Sequence, residues 1–498
     1  MKLPFERLLI ANRGEIARRI IHTCREWGVK TVAVHSDIDQ HAPFVSDADE
    51  AVSLEGDTAA ETYLVIDKLL DAAKQTNAEA IHPGYGFLSE NAKFAEAVQT
   101  AGLTWIGPTP ESIHQMGSKA QARTLAEKAN VPLVPGMAED GQSDEELLNL
   151  AKDIGFPVLI KASAGGGGKG MRVVDAEDGF LDGLQSTRRE AKSSFGDDHL
   201  IIEKYILNPR HIEVQVFGDT HGGAVHLFER ECSIQRRHQK IVEESPSPVL
   251  SDEQREAITD AAVRLAKQVE YVNAGTVEFI LDESGDFYFL EMNTRLQVEH
   301  PVTEGVTGLD LVALQLQVAA GYALPFQQSE LTQRGHSIEV RVYAEDPAFQ
   351  FAPQTGTIDV LRLANGPGIR WDNGVEQGSE VSPYYDPMLG KLIVYGEDRE
   401  AAIRRLRMAL SDTALLGVQT NLTFLKEVID HPAFISGDTT TAFIEKHFEN
   451  WKEAEPQDLD WLAMIAYEAW GKQRASAVGA ASEAQFDPWQ LNEPWRNV

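Results

Sequence analysis

The chain has little cysteine, a shortage of basic charge and no long apolar run. Only Cys24 and Cys232 occur in 498 residues, which excludes a disulfide framework and a four-cysteine metal site. Lysine and arginine number 45 against 77 acidic residues, a net charge of −32, so no nucleic-acid-binding surface is expected. No stretch approaches the roughly 18 uncharged apolar residues of a membrane helix. We therefore expect a protein that binds neither nucleic acid nor membrane.

The N-terminal segment gives no sign of a targeting sequence. It begins MKLPFERLLIANRGEIARRI, carries Glu6 and Glu15, and has no continuous apolar region. A secretory signal needs such a region, and transit peptides are poor in acidic residues. Together with the two cysteines, this favours a reducing compartment, and we expect a cytoplasmic protein.

The first part of the sequence alternates between strand-like and helical patterns. Apolar segments at 8–11, 31–35, 80–82 and 105–107 are typical of strands, and the periodic segment at 15–27 is typical of a helix. Repetition of this βα pattern predicts an α/β fold with a parallel, doubly wound sheet over residues 1–115.

The rest of the chain has a different pattern, and the total length predicts about three domains of roughly 150 residues each. From 116 to about 330, helices mix with hairpins, which predicts an α+β domain. Alternating strands and two helical patterns predict a third, strand-rich domain over 331–448. Residues 449–498 hold a helix-like stretch at 459–470 and then Ala- and Ser-rich sequence, which we interpret as a connector.

A glycine loop, GGGGKG at 165–170, is the first candidate binding element. It formally matches G-x-G-x-x-G, but a strand-like segment follows it where a dinucleotide fingerprint requires a helix. It also lacks the Gly-Lys-Ser/Thr ending of a P-loop. A strand–loop–strand unit with unobstructed glycine N–H groups can close over phosphates as a flap. A mobile surface linker is the alternative, and the flanking Lys161 and Lys169 favour the flap.

Paired carboxylates form the second candidate. The β-prone runs 275–281 and 287–293 predict a hairpin, and a turn centred between Ser284 and Gly285 places Glu278 opposite Glu291. Two facing carboxylates repel unless a cation lies between them. Asn293 shares the face of Glu291, and this set of oxygen ligands predicts a Mg²⁺ or Mn²⁺ site. Solvent-facing acids on an edge hairpin are the alternative, disfavoured by the surrounding apolar residues.

The segment RECSIQRRHQK at 230–240 concentrates four basic residues and a histidine in an acidic protein. This predicts a site for an anionic substrate or nucleotide, with a solvated loop of structural ion pairs as the alternative. His211 and His238 lack the spacing of a metal-binding pair, so we expect hydrogen-bonding roles for them. No Gly-x-Ser-x-Gly nucleophile is evident, which weakens any acyl-enzyme hypothesis.

Five motifs together resemble the biotin carboxylases, enzymes of the ATP-grasp superfamily that form part of acyl-CoA carboxylases. They occur in colinear order and the resemblance covers about residues 5–448: ANRGEIARR at 11–19, HPGYGFLSEN at 82–91, KASAGGGGKGM at 161–171, RECSIQRRHQK at 230–240 and EMNTRLQVEHPVTE at 291–304. The resemblance implies an N-terminal domain over 1–115, an ATP-grasp domain over 116–330 with a lid at about 132–204, and a C-terminal domain over 331–448.

The resemblance also implies an ATP site, with the adenine near Glu203 and Tyr205. The residues it assigns to ATP are Lys119, Lys161, Gly165, Gly166, Gly167, Gly168, Lys169, Gly170, Met171, Glu203, Lys204, Tyr205, Ile206, His211, Gln235, His238, Glu278 and Glu291. It assigns magnesium or manganese to Glu278, Glu291 and Asn293, in agreement with the hairpin argument.

For the chemical step, the resemblance implies a bicarbonate site and a base. Bicarbonate is placed near Lys240, Arg295, Gln297 and Val298, with Glu299 deprotonating it. Arg341 stabilises the biotin enolate. Bicarbonate is a poor electrophile until it is phosphorylated, so such a site must hold it in line with the γ-phosphate and neutralise spreading charge.

The resemblance implies partners as well. A biotinyl Ala-Met-Lys-Met motif does not occur in the sequence, so biotin is expected on a carrier in a further C-terminal region, on another chain, or as free biotin. A carboxyltransferase subunit and self-association into a homo-oligomer are also expected. The final DPWQLNEPWRNV resembles the connector of acyl-CoA carboxylase α subunits, but the sequence does not identify the acyl-CoA acceptor.

Two other functions remain open. Another ATP-grasp ligase, which joins a carboxylate to an amine, would share the flap and the metal hairpin but has no need of RRHQK or EMNTRLQVEH. A non-catalytic nucleotide-binding subunit would be expected to lose Glu278, Glu291, Glu299 or Arg341, and all four are present.

Overall fold

The computed structural model describes residues 3–136, 142–162, 171–195, 198–236 and 239–454, without the side chains of 194 and 195. The glycine loop at 165–170, His238 and the helix-like stretch at 459–470 lie outside these ranges. The chain divides into two units, Met1–Trp451 and Lys452–Val498, and the elements below belong to the first.

The N-terminal region is a parallel sheet, as predicted, and it has five strands in the order β3-β2-β1-β4-β5. Its strands are β1 (Arg7–Ile10), β2 (Lys30–His35), β3 (Glu50–Ser53), β4 (Ala80–His82) and β5 (Thr104–Trp105). Its helices are α1 (Gly14–Glu26), α2 (Pro43–Asp47), α3 (Ile66–Gln75), α4 (Ala92–Thr100) and α5 (Pro110–Gly117). Leu8, Leu9 and Ile10 are all fully buried, because helices cover both faces of a parallel sheet.

A smaller antiparallel sheet follows, with strand order β7-β6-β8. Its elements are α6 (Lys119–Lys128), α7 (Asp144–Ile154), β6 (Val158–Ala162), β7 (Met171–Val174), α8 (Phe180–Phe195) and β8 (Leu200–Lys204). A 3₁₀ turn over Glu177–Gly179 precedes α8. β6 and β7 are antiparallel, with Lys161 opposite Met171, so the predicted hairpin flanks the glycine loop.

The largest element is an eight-stranded sheet with strand order β13-β12-β9-β10-β11-β14-β21-β19. Its strands are β9 (Arg210–Gly218), β10 (Ala224–Arg236), β11 (Gln239–Ser245), β12 (Asn273–Leu281), β13 (Phe287–Asn293), β14 (His336–Tyr343), β19 (Ile369–Asn373) and β21 (Met388–Gly396). Strands β11 and β14 pair directly, with Val242 opposite Val340. The sheet therefore runs without a break from the ATP-grasp region into the C-terminal region.

Helices cover this sheet and short strands complete the C-terminal region. The helices are α9 (Asp252–Gln268), α10 (His300–Thr307), α11 (Leu311–Ala319), α12 (Arg399–Asp412), α13 (Leu422–Asp430), α14 (Pro432–Ser436) and α15 (Phe443–Phe448), with 3₁₀ turns at Gln328–Glu330 and Pro347–Phe349. The short strands are β15 (Glu345–Asp346), β16 (Ala352–Pro353), β17 (Gly356–Thr357), β18 (Val360–Arg362), β20 (Glu380–Val381) and β22 (Ala414–Leu416). α10 packs against β10, β11, β14 and β21. Its first turn lies over the charged residues described next.

Among the helices that the structure describes, none is both long enough and apolar enough to cross a membrane.

Candidate active site

Two facing carboxylates lie at one edge of the eight-stranded sheet. Glu278 on β12 is directly opposite Glu291 on β13, which confirms the predicted register. Nearer the turn, Phe279 pairs with Phe289, so a bulge shifts the pairing by one residue beside the acids. Asn293 pairs with Thr276 and donates from Nδ2 to Glu278 Oε1 at 2.7 Å. The predicted oxygen-ligand set is therefore assembled at one place.

The protonation behaviour of the two acids fits a divalent cation. Burial opposes ionisation of Glu278, but Lys240 and His211 outweigh it, and its pKa lies well below the ordinary value. Desolvation and then the charge of Glu278 raise the pKa of Glu291, although Glu291 lies on the edge strand and is exposed. A second carboxylate beside a charged one is stabilised by added positive charge, and these ligands offer only oxygen atoms. Glu278, Glu291 and Asn293 therefore fit a Mg²⁺ or Mn²⁺ ion.

The Lys240 ammonium lies at the centre of a group of three carboxylates. Its Nζ is 2.5 Å from Glu213 Oε2, 2.8 Å from Glu278 Oε1 and 2.8 Å from Glu299 Oε1. Burial disfavours the ammonium, but the three carboxylates outweigh this cost and hold the pKa of Lys240 well above its ordinary value. Lys240 therefore stays charged near neutral pH and offers its positive charge beside the metal hairpin.

Glu299 and Arg341 form the adjoining part of the site. Arg341 Nη2 lies 3.0 Å from Glu299 Oε2, and Arg341 Nε lies 2.6 Å from Glu243 Oε1. Burial opposes ionisation of Glu299, but Lys240, Arg341 and Arg230 outweigh it and hold its pKa well below the ordinary value. Burial raises the pKa of Glu243 to about 7 despite Arg341. The Glu299 carboxylate is therefore ionised near neutral pH.

The segment between β13 and α10 carries the remaining predicted bicarbonate residues. Arg295 Nε lies 2.9 Å from Glu90 Oε2, and its Nη2 donates to Asn293 Oδ1 at 3.1 Å. Gln297 Nε2 donates to Glu278 Oε1 at 2.9 Å. Val298 is half-buried in the turn before α10. Glu90 belongs to the HPGYGFLSEN motif, so that motif orients Arg295.

Two buried residues of this site were missed by the sequence analysis. Glu213 and Arg230 are both fully buried, and Arg230 Nε lies 2.5 Å from Glu213 Oε1. Arg230 also donates to the oxygens of four uncharged side chains: Gln215, Thr276, Gln297 and Thr303. A signal for Glu213 existed, because it alternates with His211 along β9 and lies opposite Glu278.

The basic cluster at 230–240 divides among several environments. Arg230 is internal, whereas Arg236 pairs with Glu345 and lies 4.9 Å over the Phe351 ring. Lys240 enters the carboxylate group, with Gln235 opposite it on β10. The segment thus supplies one cation to the site, and its two other described cations, Arg230 and Arg236, have internal acid partners.

The residues predicted to bind ATP fall into two described groups. Glu203 on β8 lies 2.5 Å from Lys161 Nζ and 3.0 Å from Arg123 Nη1, on the three-stranded sheet. The backbone N–H groups of Lys204 and Tyr205 donate to the Pro135 and Pro157 carbonyls, Ile206 is buried, and Met171 is exposed. On the larger sheet, His211 Nε2 lies 3.0 Å from Glu278 Oε2. Lys119, the first residue of α6, acts electrostatically on Glu291.

Three family models together match most of the chain. "Biotin carboxylase, N-terminal domain" matches residues 4–113, and "Biotin carboxylase C-terminal domain" matches 339–446. Between them, "Carbamoyl-phosphate synthase L chain, ATP binding domain" matches 118–327.

Curated relatives fall into two groups by length. The biotin carboxylase of Halalkalibacterium halodurans is 50% identical over 445 residues, 89% of this chain and 98% of the relative. The mitochondrial methylcrotonoyl-CoA carboxylase subunit alpha of Dictyostelium discoideum is 48% identical over 99% of this chain and 70% of the relative. The human mitochondrial propionyl-CoA carboxylase alpha chain is 50% identical over 88% of this chain and 61% of the relative.

Solved structures share the fold over about nine-tenths of the chain. The biotin carboxylase of Campylobacter jejuni in complex with β,γ-ATP has a TM-score of 0.84 at 43% identity, covering 89% of this chain and 99% of that chain. The biotin carboxylase domain of Hydrogenobacter thermophilus 2-oxoglutarate carboxylase, a dimer with MgADP, ADP and bicarbonate, has a TM-score of 0.84 at 45% identity, covering 91% of this chain and 100% of that chain.

Proposed function

This chain belongs to the biotin carboxylase family, and on that premise we propose that it carboxylates biotin on a carrier protein, using ATP and bicarbonate. The observation that carries the proposal is the Lys240 ammonium, held within 2.8 Å of Glu278 and Glu299. Lys240 thus connects the β12–β13 hairpin, which carries the proposed metal ligands, to the Glu299 carboxylate, the proposed proton acceptor. A site that must bring a phosphate and a small anion together needs such a bridge.

The proposed first step forms carboxyphosphate from ATP and bicarbonate. Glu278, Glu291 and Asn293 would hold Mg²⁺ or Mn²⁺, which would neutralise phosphate charge. Lys240, Arg295, Gln297 and Val298 bind bicarbonate, and the Glu299 carboxylate accepts its proton. The lowered pKa of Glu299 keeps it ionised near neutral pH, and its contacts with Lys240 and Arg341 place it beside the proposed bicarbonate residues.

The proposed second step transfers the carboxyl group to biotin. The C–O bond between the carboxyl carbon and the phosphate breaks, which gives CO₂ and phosphate beside the ureido nitrogen. The released phosphate takes the proton of that nitrogen, and the nitrogen forms a C–N bond with CO₂. Arg341 opposes the enolate charge that develops on biotin. Glu243 and Glu299 bracket the Arg341 guanidinium and fix its direction. Arg341 therefore acts in this step, whereas the metal hairpin acts in the first.

The wider organisation is also a proposal. We assign 1–115, 116–330 with a lid at 132–204, 331–448 and a connector at 449–498. A biotinyl carrier and a carboxyltransferase are the partners, and the module self-associates. The proposed location is a reducing compartment, the cytoplasm, in which the two described cysteines, Cys24 and Cys232, remain unpaired thiols.

The test is bicarbonate-dependent ATP hydrolysis by the purified chain with Mg²⁺, with and without free biotin or a biotinyl carrier. We expect biotin to stimulate hydrolysis and label from bicarbonate to appear on biotin. Hydrolysis that responds to neither bicarbonate nor biotin would instead favour another ATP-grasp ligase. ATP binding without turnover would favour a non-catalytic nucleotide-binding subunit.

A further inference from the structure

A wholly buried lysine lies behind the bicarbonate segment, and the proposed reaction gives it no role. Lys391 is the fourth residue of β21 and is 0% exposed. On its two neighbouring strands, it lies opposite Arg341 on β14 and Asp372 on β19. Cross-strand partners share a face of the sheet, so Lys391 and Arg341 point to the side that α10 covers. Burying an ammonium is costly unless its charge is used.

The charge of Lys391 is directed at one backbone group. Nζ donates a hydrogen bond to the carbonyl oxygen of Val298. The neighbouring acids are farther away, with Glu15 Oε2 at 3.7 Å and Asp372 Oδ2 at 4.0 Å, and the Tyr85 ring centroid is 5.8 Å away. Among the described residues, Val298 is the hydrogen-bond acceptor that Lys391 reaches. The two acids balance its charge from outside hydrogen-bonding distance.

The Val298 carbonyl belongs to the peptide that links Val298 to Glu299. Glu299 is the N-cap of α10, and its carboxylate contacts both Lys240 and Arg341. A charged hydrogen bond to this peptide therefore fixes two groups together: the Val298 backbone and the starting direction of the Glu299 side chain. Lys240 and Arg341 act on the far end of Glu299, and Lys391 acts on its backbone.

We propose that Lys391 is a positioning residue for bicarbonate, which it serves by holding the Val298–Glu299 peptide from behind. The inference rests on the proposed function and extends it to a residue outside the substrate site. Lys391 touches no reacting atom in this scheme. Its removal loosens the bicarbonate segment and leaves the nucleotide residues on β8, β12 and β13 in place.

The experiment compares Lys391→Met, which keeps the length of the side chain but removes the charge and the donor, with Lys267→Met on the exposed face of α9. KM for bicarbonate and KM for ATP are measured by ATP hydrolysis. Losing a charge-assisted hydrogen bond predicts a rise in KM for bicarbonate of roughly 10- to 100-fold. KM for ATP should stay within about 2-fold, as should both constants in Lys267→Met.

Lys391→Met also leaves Glu15 buried without its cation. Burial raises the pKa of Glu15 to about 7, an effect that Lys391 opposes. The double variant Lys391→Met/Glu15→Gln removes that uncompensated acid, and it is measured in the same assay if the single variant fails to fold. KM for bicarbonate should rise in the double variant as well, while KM for ATP stays unchanged. Hydrogen exchange of the peptide spanning 297–300 should rise in both variants, without bicarbonate present.

A purely structural role for Lys391 would lower thermal stability and raise both KM values together, and that result would overturn the inference. Unchanged KM for bicarbonate in the folded double variant would overturn it as well. Wild-type ATP hydrolysis that ignores bicarbonate would overturn the proposed function together with the inference. If ATP hydrolysis by the wild type depends on bicarbonate, but the variants do not raise KM for bicarbonate more than KM for ATP, only the Lys391 inference is wrong.

Discussion

Replacing Glu213 with glutamine tests whether the buried charges are held as a connected group. Glu213 is fully buried, accepts from Arg230 Nε at 2.5 Å and lies 2.5 Å from Lys240 Nζ. Glutamine has nearly the same shape but no charge. In this variant Lys240 still contacts two carboxylates, Glu278 and Glu299, so it loses only part of the negative charge that stabilises its ammonium. The described hydrogen-bond partners that remain for Arg230 are uncharged side chains, and Glu299 acts on it through its charge without a hydrogen bond, so most of the cost falls on Arg230.

The expected loss of unfolding free energy in Glu213→Gln follows from the partners that Lys240 and Arg230 keep. Removing one partner of a buried ion pair costs about 3–5 kcal/mol because a charge is left uncompensated. Four uncharged acceptors still bind Arg230, so we expect the lower end of that range, about 3 kcal/mol. At about 2.1 cal/mol/K of unfolding entropy per residue, a chain of 498 residues should show a fall in the melting temperature of roughly 3 °C.

The assay is thermal unfolding of Glu213→Gln followed by circular dichroism, beside Glu256→Gln on the exposed face of α9 as the matched control. The control should change the free energy of unfolding by less than about 0.5 kcal/mol. If Glu213→Gln melts within roughly 1 °C of the control, the ion pair does not stabilise the fold, and the reasoning from its burial is wrong.

Three other perturbations have expected outcomes. Glu278→Gln should weaken Mn²⁺ binding, measured by electron paramagnetic resonance titration, because it removes the charged metal ligand; unchanged affinity would refute the metal assignment. Arg341→Ala should bind ATP normally but fail to carboxylate biotin, measured by label transfer from bicarbonate, and full carboxylation would remove Arg341 from the second step. Glu244 has a pKa of about 2 against an ordinary 4.5: burial raises it, but His336 and Arg399 outweigh burial. It should therefore stabilise the fold by roughly 3 kcal/mol above pH about 4.5, an effect lost as pH falls toward 2. Urea unfolding of Glu244→Gln should show lower stability at pH 7 and a smaller loss on acidification than the wild type.

The parts of the structure that local pattern determines were predicted well. The parallel sheet, the β6–β7 hairpin and the helices α12 and α13 follow from periodicity and turn residues. The pairing of Glu278 with Glu291 was also correct, although the turn is centred one-half residue earlier than expected. The bulge next to Glu278 restores the register at the acids. A bulge depends on tertiary fit, so sequence spacing alone could not predict it.

The contacts of the buried charged residues could not be predicted from the sequence pattern. Glu213 follows the polar–apolar alternation of β9, but every residue of that strand after Arg210 is buried, so this alternation does not mark one solvent-facing side and does not show which charges the polar side chains meet. Arg230 reads as one of several surface cations, because its acid partner lies 17 positions earlier in the chain. Lys391 is similarly concealed in the apolar strand MLGKLIVYG, since its partner Val298 lies on a distant segment.

The direct pairing of β11 with β14 has a consequence for dissecting this protein. Residues 118–327 and 339–446 match separate family models, which makes the interval between them an attractive place to cut the chain. A fragment ending there would leave β11 as an open sheet edge, with the N–H and C=O groups from Val242 to Ser245 unpaired. Arg341, the partner of Glu243 and Glu299, would also be lost. Such a fragment should aggregate by edge-to-edge pairing, and truncations intended to isolate the nucleotide site should therefore end after α15.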